Sequence, residues 1–201
     1  MKLKRGRTIC LVCVFCVLAV ICLPEPTYRS GHHERATESL IFDETITIVG
    51  SEAFVNHVMK ALSLLRSKSS SGYPVVKTYI GRIREGPTSG MYAYYDPPTF
   101  QMSAKEALLN ETNKDYALQW CASVIGHDAY HSKKYHDYQE THGHSPGAGR
   151  YPPIHVWTGE AIERECIAFQ KKVCREIGAY RTICEYLTKC DGRYCETPRN
   201  W

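Results

Sequence analysis

The feature that most limits what this chain can fold into lies at its start. Lys2, Lys4, Arg5 and Arg7 precede an uncharged, largely apolar run over residues 8–23, which Pro24-Glu25-Pro26 closes. A basic flank followed by an apolar stretch is the pattern of a secretory signal peptide or an N-terminal signal anchor. The run is short against the about 20 residues a spanning helix needs, yet no Ala-x-Ala-type cleavage site follows it. Both readings therefore stay open. In each, the positive flank stays inside and Pro24 onward lies outside the cytoplasm. The expected localisation is secreted or membrane-anchored, with any membrane contact made by the N-terminal segment. Residues 1–23 are thus an address, residues 24–40 a polar tether, and residues 41–201 remain for the fold.

That remainder has the size of one ordinary domain. Ten prolines and fourteen glycines in 201 residues, with 43% hydrophobic residues, exclude a disordered or fibrous chain. The formal net charge of +4 arises from 25 basic and 21 acidic residues, and four of the basic ones belong to the N-terminal flank. The rest of the chain is formally neutral. It lacks the basic footprint of a nucleic-acid-binding domain, so no nucleic-acid partner is expected.

Cys10, Cys13, Cys16 and Cys22 fall inside the apolar run, where they fill a membrane helix or accept acyl chains. Six more follow, at Cys121, Cys166, Cys174, Cys184, Cys190 and Cys195, with no C-x-x-C pair among them. In an exported domain, an even count predicts up to three disulfides, the last three cysteines stapling the C-terminus. Asn110-Glu111-Thr112 is a glycosylation sequon.

Patterning predicts an α+β fold in the order β-α-β-β-α-α-α. Residues 41–49 alternate as a strand, and residues 51–66 place Phe54, Val58, Leu62 and Leu65 at helical spacing behind Ser51 as N-cap. Two β-rich runs, 75–83 and 91–95, flank a turn region over 85–90 that reads as a hairpin. A short helix over 103–109, a long helix from about Asn113 to Tyr138, a helix from Thr158 to Ile177 and a last one over 180–187 complete the reading.

Chemistry concentrates on two of these helices. His127 and His131 sit at i and i+4, on the helical face that also carries Ala117, Trp120 and Val124, so both imidazoles point inward and close enough to share one metal ion. Asp128 stands about 100° around the helix from His127, placed to reach a water on the metal rather than the metal itself. On the later helix, Glu163 shares a face with Cys166, Gln170 and Val173, and a carboxylate buried there wants a cation. Glu160 instead suits the helix N-terminus.

Together these residues resemble the zincin metallopeptidases of the gluzincin type. That family carries H-E-x-x-H on one helix and a third ligand, Glu, on a later one, often within E-x-E-A-x-x-F. Here the matching residues are His127-Asp128-Ala129-Tyr130-His131 and Glu163-Arg164-Glu165-Cys166-Ile167-Ala168-Phe169. The resemblance covers roughly residues 75–178. It implies a small zincin-like domain, Zn2+ held by His127, His131 and Glu163, and Asp128 as general base. It also implies that residues 90–97 form a sheet edge holding extended peptide or protein substrate. Asp128 is a departure, because the family has Glu there and the carboxylate is shorter by about 1.5 Å. A metzincin-like alternative would make Asp137 the third ligand, but Lys134 stands where that turn needs Gly. His155, just before the Glu-bearing helix, is a candidate oxyanion donor and otherwise a loop residue.

The absence of a phosphate-binding G-x-x-x-x-G-K and of P-C-x-x-C argues against P-loop enzymes and nucleobase deaminases. The expectation is an exported or anchored zinc-dependent hydrolase, a metallopeptidase by its ligand pattern. The alternatives are a catalytically silent zinc-binding module of the same fold, favoured by Asp128, and a metal-free, disulfide-stapled extracellular binding domain.

Overall fold

The computed structural model describes residues 38–109, 114–143, 152–190 and 192. The apolar run over 8–23, Asn110 and Cys195 lie outside them. No helix among the described residues is long and apolar enough to cross a membrane.

The fold is α+β. It opens with β1 (Glu38–Phe42) and β2 (Ile46–Gly50), followed by α1 (Glu52–Lys68) and α2 (Gly72–Tyr79). Then come β3 (Arg82–Gly86), β4 (Gly90–Tyr92), β5 (Thr99–Ser103) and α3 (Ala104–Leu108). It closes with α4 (Lys114–His142), α5 (Glu160–Ile177) and α6 (Arg181–Lys189), a 3-10 turn at Ile154–Val156 preceding α5.

The strands form one mixed sheet in the order β1-β2-β3-β5-β4, with β2, β3 and β5 mutually parallel and the outer pairs antiparallel. The helical segment between β2 and β3 supplies the crossover that a parallel pair requires. α1 packs on β1 and β2, and α4 on β4 and β5. Phe54, Val58, Leu62 and Leu65 of α1 are all fully buried, as their spacing predicts.

Four expectations change. The single strand over 41–49 is a hairpin, and β1 begins at Glu38, within the stretch read as tether. Asp43 and Glu44 turn it with φ of 48° and 61°, and Tyr73 and Lys77 donate hydrogen bonds to the Asp43 carboxylate. The run over 75–83 is mostly helix α2. Pro74 is tolerated within its first turn, where backbone N–H groups lack partners anyway, and Glu176 of α5 accepts from Ser69 Oγ, Ser71 Oγ and Ser71 N just before it. Tertiary contacts thus override three β-branched residues, Val75, Val76 and Thr78. β3 and β4 do not form a hairpin. β5, hidden from the pattern by Pro97-Pro98, inserts between them because four of its five residues are buried, which only an inner strand provides.

The last correction is the disulfide framework. Cys121, Cys166, Cys174 and Cys184 are free, whereas Cys190 is disulfide-bonded, so of the described cysteines only Cys190, in the expected C-terminal staple, is paired. One hydrophobic core runs from β1 to α6. Ser51 does occupy the N-cap position of α1, but its side chain makes no capping bond, and its N–H donates to Glu85 Oε2 at 2.6 Å.

Candidate metal centre

α4 and α5 run antiparallel, as the order of their contacts shows. Gln170 Nε2 donates to Ser123 Oγ at 3.0 Å, Tyr130 stacks on Phe169 at 4.6 Å, and Lys134 pairs with Glu165. Gly126 makes their close approach possible. A Cβ there would stand only 3.3 Å from Val173 Cγ2. This close seam brings the next turn of α4 against the first turn of α5.

There His127 Nε2 and His131 Nε2 lie 3.1 Å apart. Glu163 places Oε2 3.3 Å from His127 Nε2 and Oε1 3.1 Å from His131 Nε2. The two histidines are 7% and 6% exposed, and the Glu163 side chain 14%. The inward pairing predicted from spacing is therefore present. His131 Nδ1 lies 2.8 Å from the Trp157 carbonyl. A carbonyl only accepts, so Nδ1 carries a proton, and the neutral ring presents a lone pair at Nε2. Orientation through the distal ring N–H is the usual support for a metal-binding histidine. His127 Nδ1 is buried with no partner among the described residues.

Burial opposes charge on both His131 and Glu163, but contact with each other outweighs it. Hydrogen bonds with the Cys166 and Glu163 side chains lift His131 well above its ordinary 6.5. Those with His127 and His131 pull Glu163 down from 4.5 to about 2. The pocket thus favours an anion at Glu163 and positive charge between the rings. A proton there bridges one pair of donor atoms, whereas a cation bonds all of them at once.

Asp128 is 5% exposed and receives no hydrogen bond from any described residue. Burial raises its pKa, the two imidazoles oppose the rise, and Glu163 and Glu106 add to it. Cys166, counted in the sequence as a disulfide candidate on the inward face of Glu163, is fully buried beside the pair. Its sulfur and one nitrogen from each of His127 and His131 lie within 4.8 Å of one another. The signal for it was its i+3 spacing from Glu163.

The other candidates lie elsewhere. Asp137 is held by Lys133 and Tyr79, away from the cluster. Glu160 pairs with Arg164 at the exposed start of α5. His155 is exposed on the 3-10 turn, and no described contact joins it to the cluster. Trp157, which the sequence reading did not single out, packs edge-on to Tyr135 and Tyr94 while its carbonyl holds His131. β4 is the sheet edge, shorter than the expected 90–97, and packs near α4. No family model, curated protein or solved structure matches the chain.

Proposed function

We propose that the domain is a zinc-dependent hydrolase acting on extended peptide or protein segments outside the cytoplasm, secreted or held at the membrane by residues 1–23. The observation that carries the metal reading is the set of donor spacings of 3.1–3.3 Å between His127, His131 and Glu163. Tetrahedral zinc with ligand bonds of about 2.0–2.1 Å sets its donors roughly 3.3–3.4 Å apart; the two imidazole nitrogens stand close to that spacing, and Glu163, which meets each imidazole with a different oxygen, has to turn to offer one of them. Two imidazoles and a carboxylate also match the donor set of hydrolytic zinc sites.

Zinc there supplies Lewis acidity, lowering the pKa of water to about 7 and polarising a carbonyl. The chain's own groups do the rest. Trp157 fixes the tautomer of His131. Asp128 accepts the proton and delivers it to the leaving amine, a role open to a carboxyl whose pKa burial raises. The edge of β4, unpaired among the described residues and beside α4, offers backbone N–H and C=O groups to which an extended segment adds as a further strand.

A silent zinc-binding module of the same fold is the second reading. Asp128 favours it, being shorter than the Glu of the resembling family and held by no described hydrogen bond. Metal analysis of the full chain and assay against a broad peptide library separate the two. Stoichiometric zinc is expected, and substoichiometric zinc after reconstitution would sink both. Asp128→Asn should keep zinc and abolish turnover, while Asp128→Glu should retain or increase it. Zinc-loaded wild type and Asp128→Glu that are both inert would decide for the silent module.

A further inference from the structure

Cys166 stands beside the cluster with no role in the reading above. A buried free thiol is ordinarily a small hydrophobe, and Cys121 illustrates that use, with its sulfur 3.9 Å from Met102 Sδ. Cys166 has different company. It faces two imidazole nitrogens across less than 4.8 Å, and it follows Glu163 by three positions, so both side chains leave the same face of α5.

Resting on the zinc reading, we infer that Cys166 is the fourth protein ligand, a thiolate latch that closes the His127–His131–Glu163 site and must leave it before hydrolysis. Three arguments support it. With Zn–S of about 2.3 Å and Zn–N of about 2.0–2.1 Å, a tetrahedral site needs sulfur about 3.5–3.6 Å from each nitrogen. That lies inside the observed 4.8 Å limit and within reach of a side-chain adjustment. A dication held by Glu163 alone leaves one uncompensated positive charge among buried groups. The thiolate brings the sum of metal and ligands to zero, removing the desolvation cost of a net buried charge. A thiolate also selects zinc, cadmium or cobalt(II) over magnesium, calcium or manganese.

The chemistry balances simply. The S–H proton passes to solvent as the metal–sulfur bond forms, and on opening a proton returns to sulfur as water takes the vacated position. Four protein ligands make a closed centre and three make an open one, so exchange between Cys166 and water becomes the on–off step of the site.

Cobalt(II) titration of the metal-free full chain tests this. Wild type should show visible tetrahedral d–d bands together with a near-ultraviolet sulfur-to-cobalt charge-transfer band. Cys166→Ser should keep the d–d bands, lose the charge-transfer band and, in the zinc form, hydrolyse peptides about tenfold faster or more. Should the variant not fold, cadmium NMR of the unmodified chain reads the same bond as a strong downfield shift. Visible bands without charge transfer in wild type, or charge transfer that survives Cys166→Ser, overturn the ligand assignment while leaving the zinc reading intact. Absence of all cobalt bands overturns the zinc reading itself. Equal or lower hydrolysis in Cys166→Ser, with its spectrum as expected, overturns the latch.

Discussion

Replacing Glu163 by Gln removes one charge and almost no volume, and it separates the two ways this carboxylate can stabilise the domain. In the metal-free chain Glu163 contacts both imidazoles at 3.1–3.3 Å, with its side chain 14% exposed. Breaking a buried pair by removing one partner costs about 3–5 kcal/mol. Partial exposure and the ability of His131 to go neutral bring the expected loss to the bottom of that range or below it, about 2–3 kcal/mol. For a domain of this size each kcal/mol moves Tm by roughly 2–4 °C, so metal-free Glu163→Gln should melt about 4–12 °C below wild type. Zinc present at a hundred times its Kd adds about 2.7 kcal/mol to wild type, a rise of roughly 5–11 °C. In Glu163→Gln that rise should collapse, because a neutral amide replaces an anionic donor. Thermal melts of both full-length proteins, with and without zinc, read all four numbers. An equal zinc-induced rise in both would refute Glu163 as a ligand. A metal-free Tm unchanged by the substitution would refute the ion-pair account.

Three other outcomes follow from the same contacts. Asp137→Asn should leave zinc content unchanged, since Asp137 is engaged by Lys133 and Tyr79; elemental analysis that finds the site emptied would reinstate the metzincin-like ligand set. Burial opposes it, but hydrogen bonds from Ser69 and Ser71 hold the Glu176 carboxyl below its ordinary 4.5. Its contribution is then fully present above pH 4.5 and fades as pH falls through the lower folded value. Urea titrations should show Glu176→Gln destabilised at neutral pH, with the gap from wild type narrowing in acid. Gly178 ends α5 with φ of 69° and ψ of 39°, and Gly178→Ala should cost about 1 kcal/mol, or roughly 2–4 °C in Tm.

What could be read from the linear chain was whatever depends on short-range periodicity. The inward face of α1, the long α4 and the course of α5 to Ile177 follow from apolar residues three and four apart, because helix geometry is local. The convergence of His127 and His131 is legible for the same reason, and so is the inward face that Glu163 shares with Gln170 and Val173, but its meeting with the two imidazoles is not. Strand order was not legible. Residues 82–86 and 99–103 pair in parallel across a connection that includes β4, and no local pattern records which edge a strand joins. Val75 and Val76 favour a strand by themselves, yet the anchor that Glu176 gives the start of α2 comes from a hundred residues away. Cys166 is the clearest case. By sequence it was half of a disulfide, since an even cysteine count in an exported chain invites pairing. Only the α4–α5 seam, set by Gly126 against Val173, decides that its sulfur faces two imidazoles rather than another thiol. Which residues are chemically able to bind a metal is a property of the chain. Which of them meet within bonding distance depends on how closely two helices pack, and packing is a sum over contacts distant in sequence.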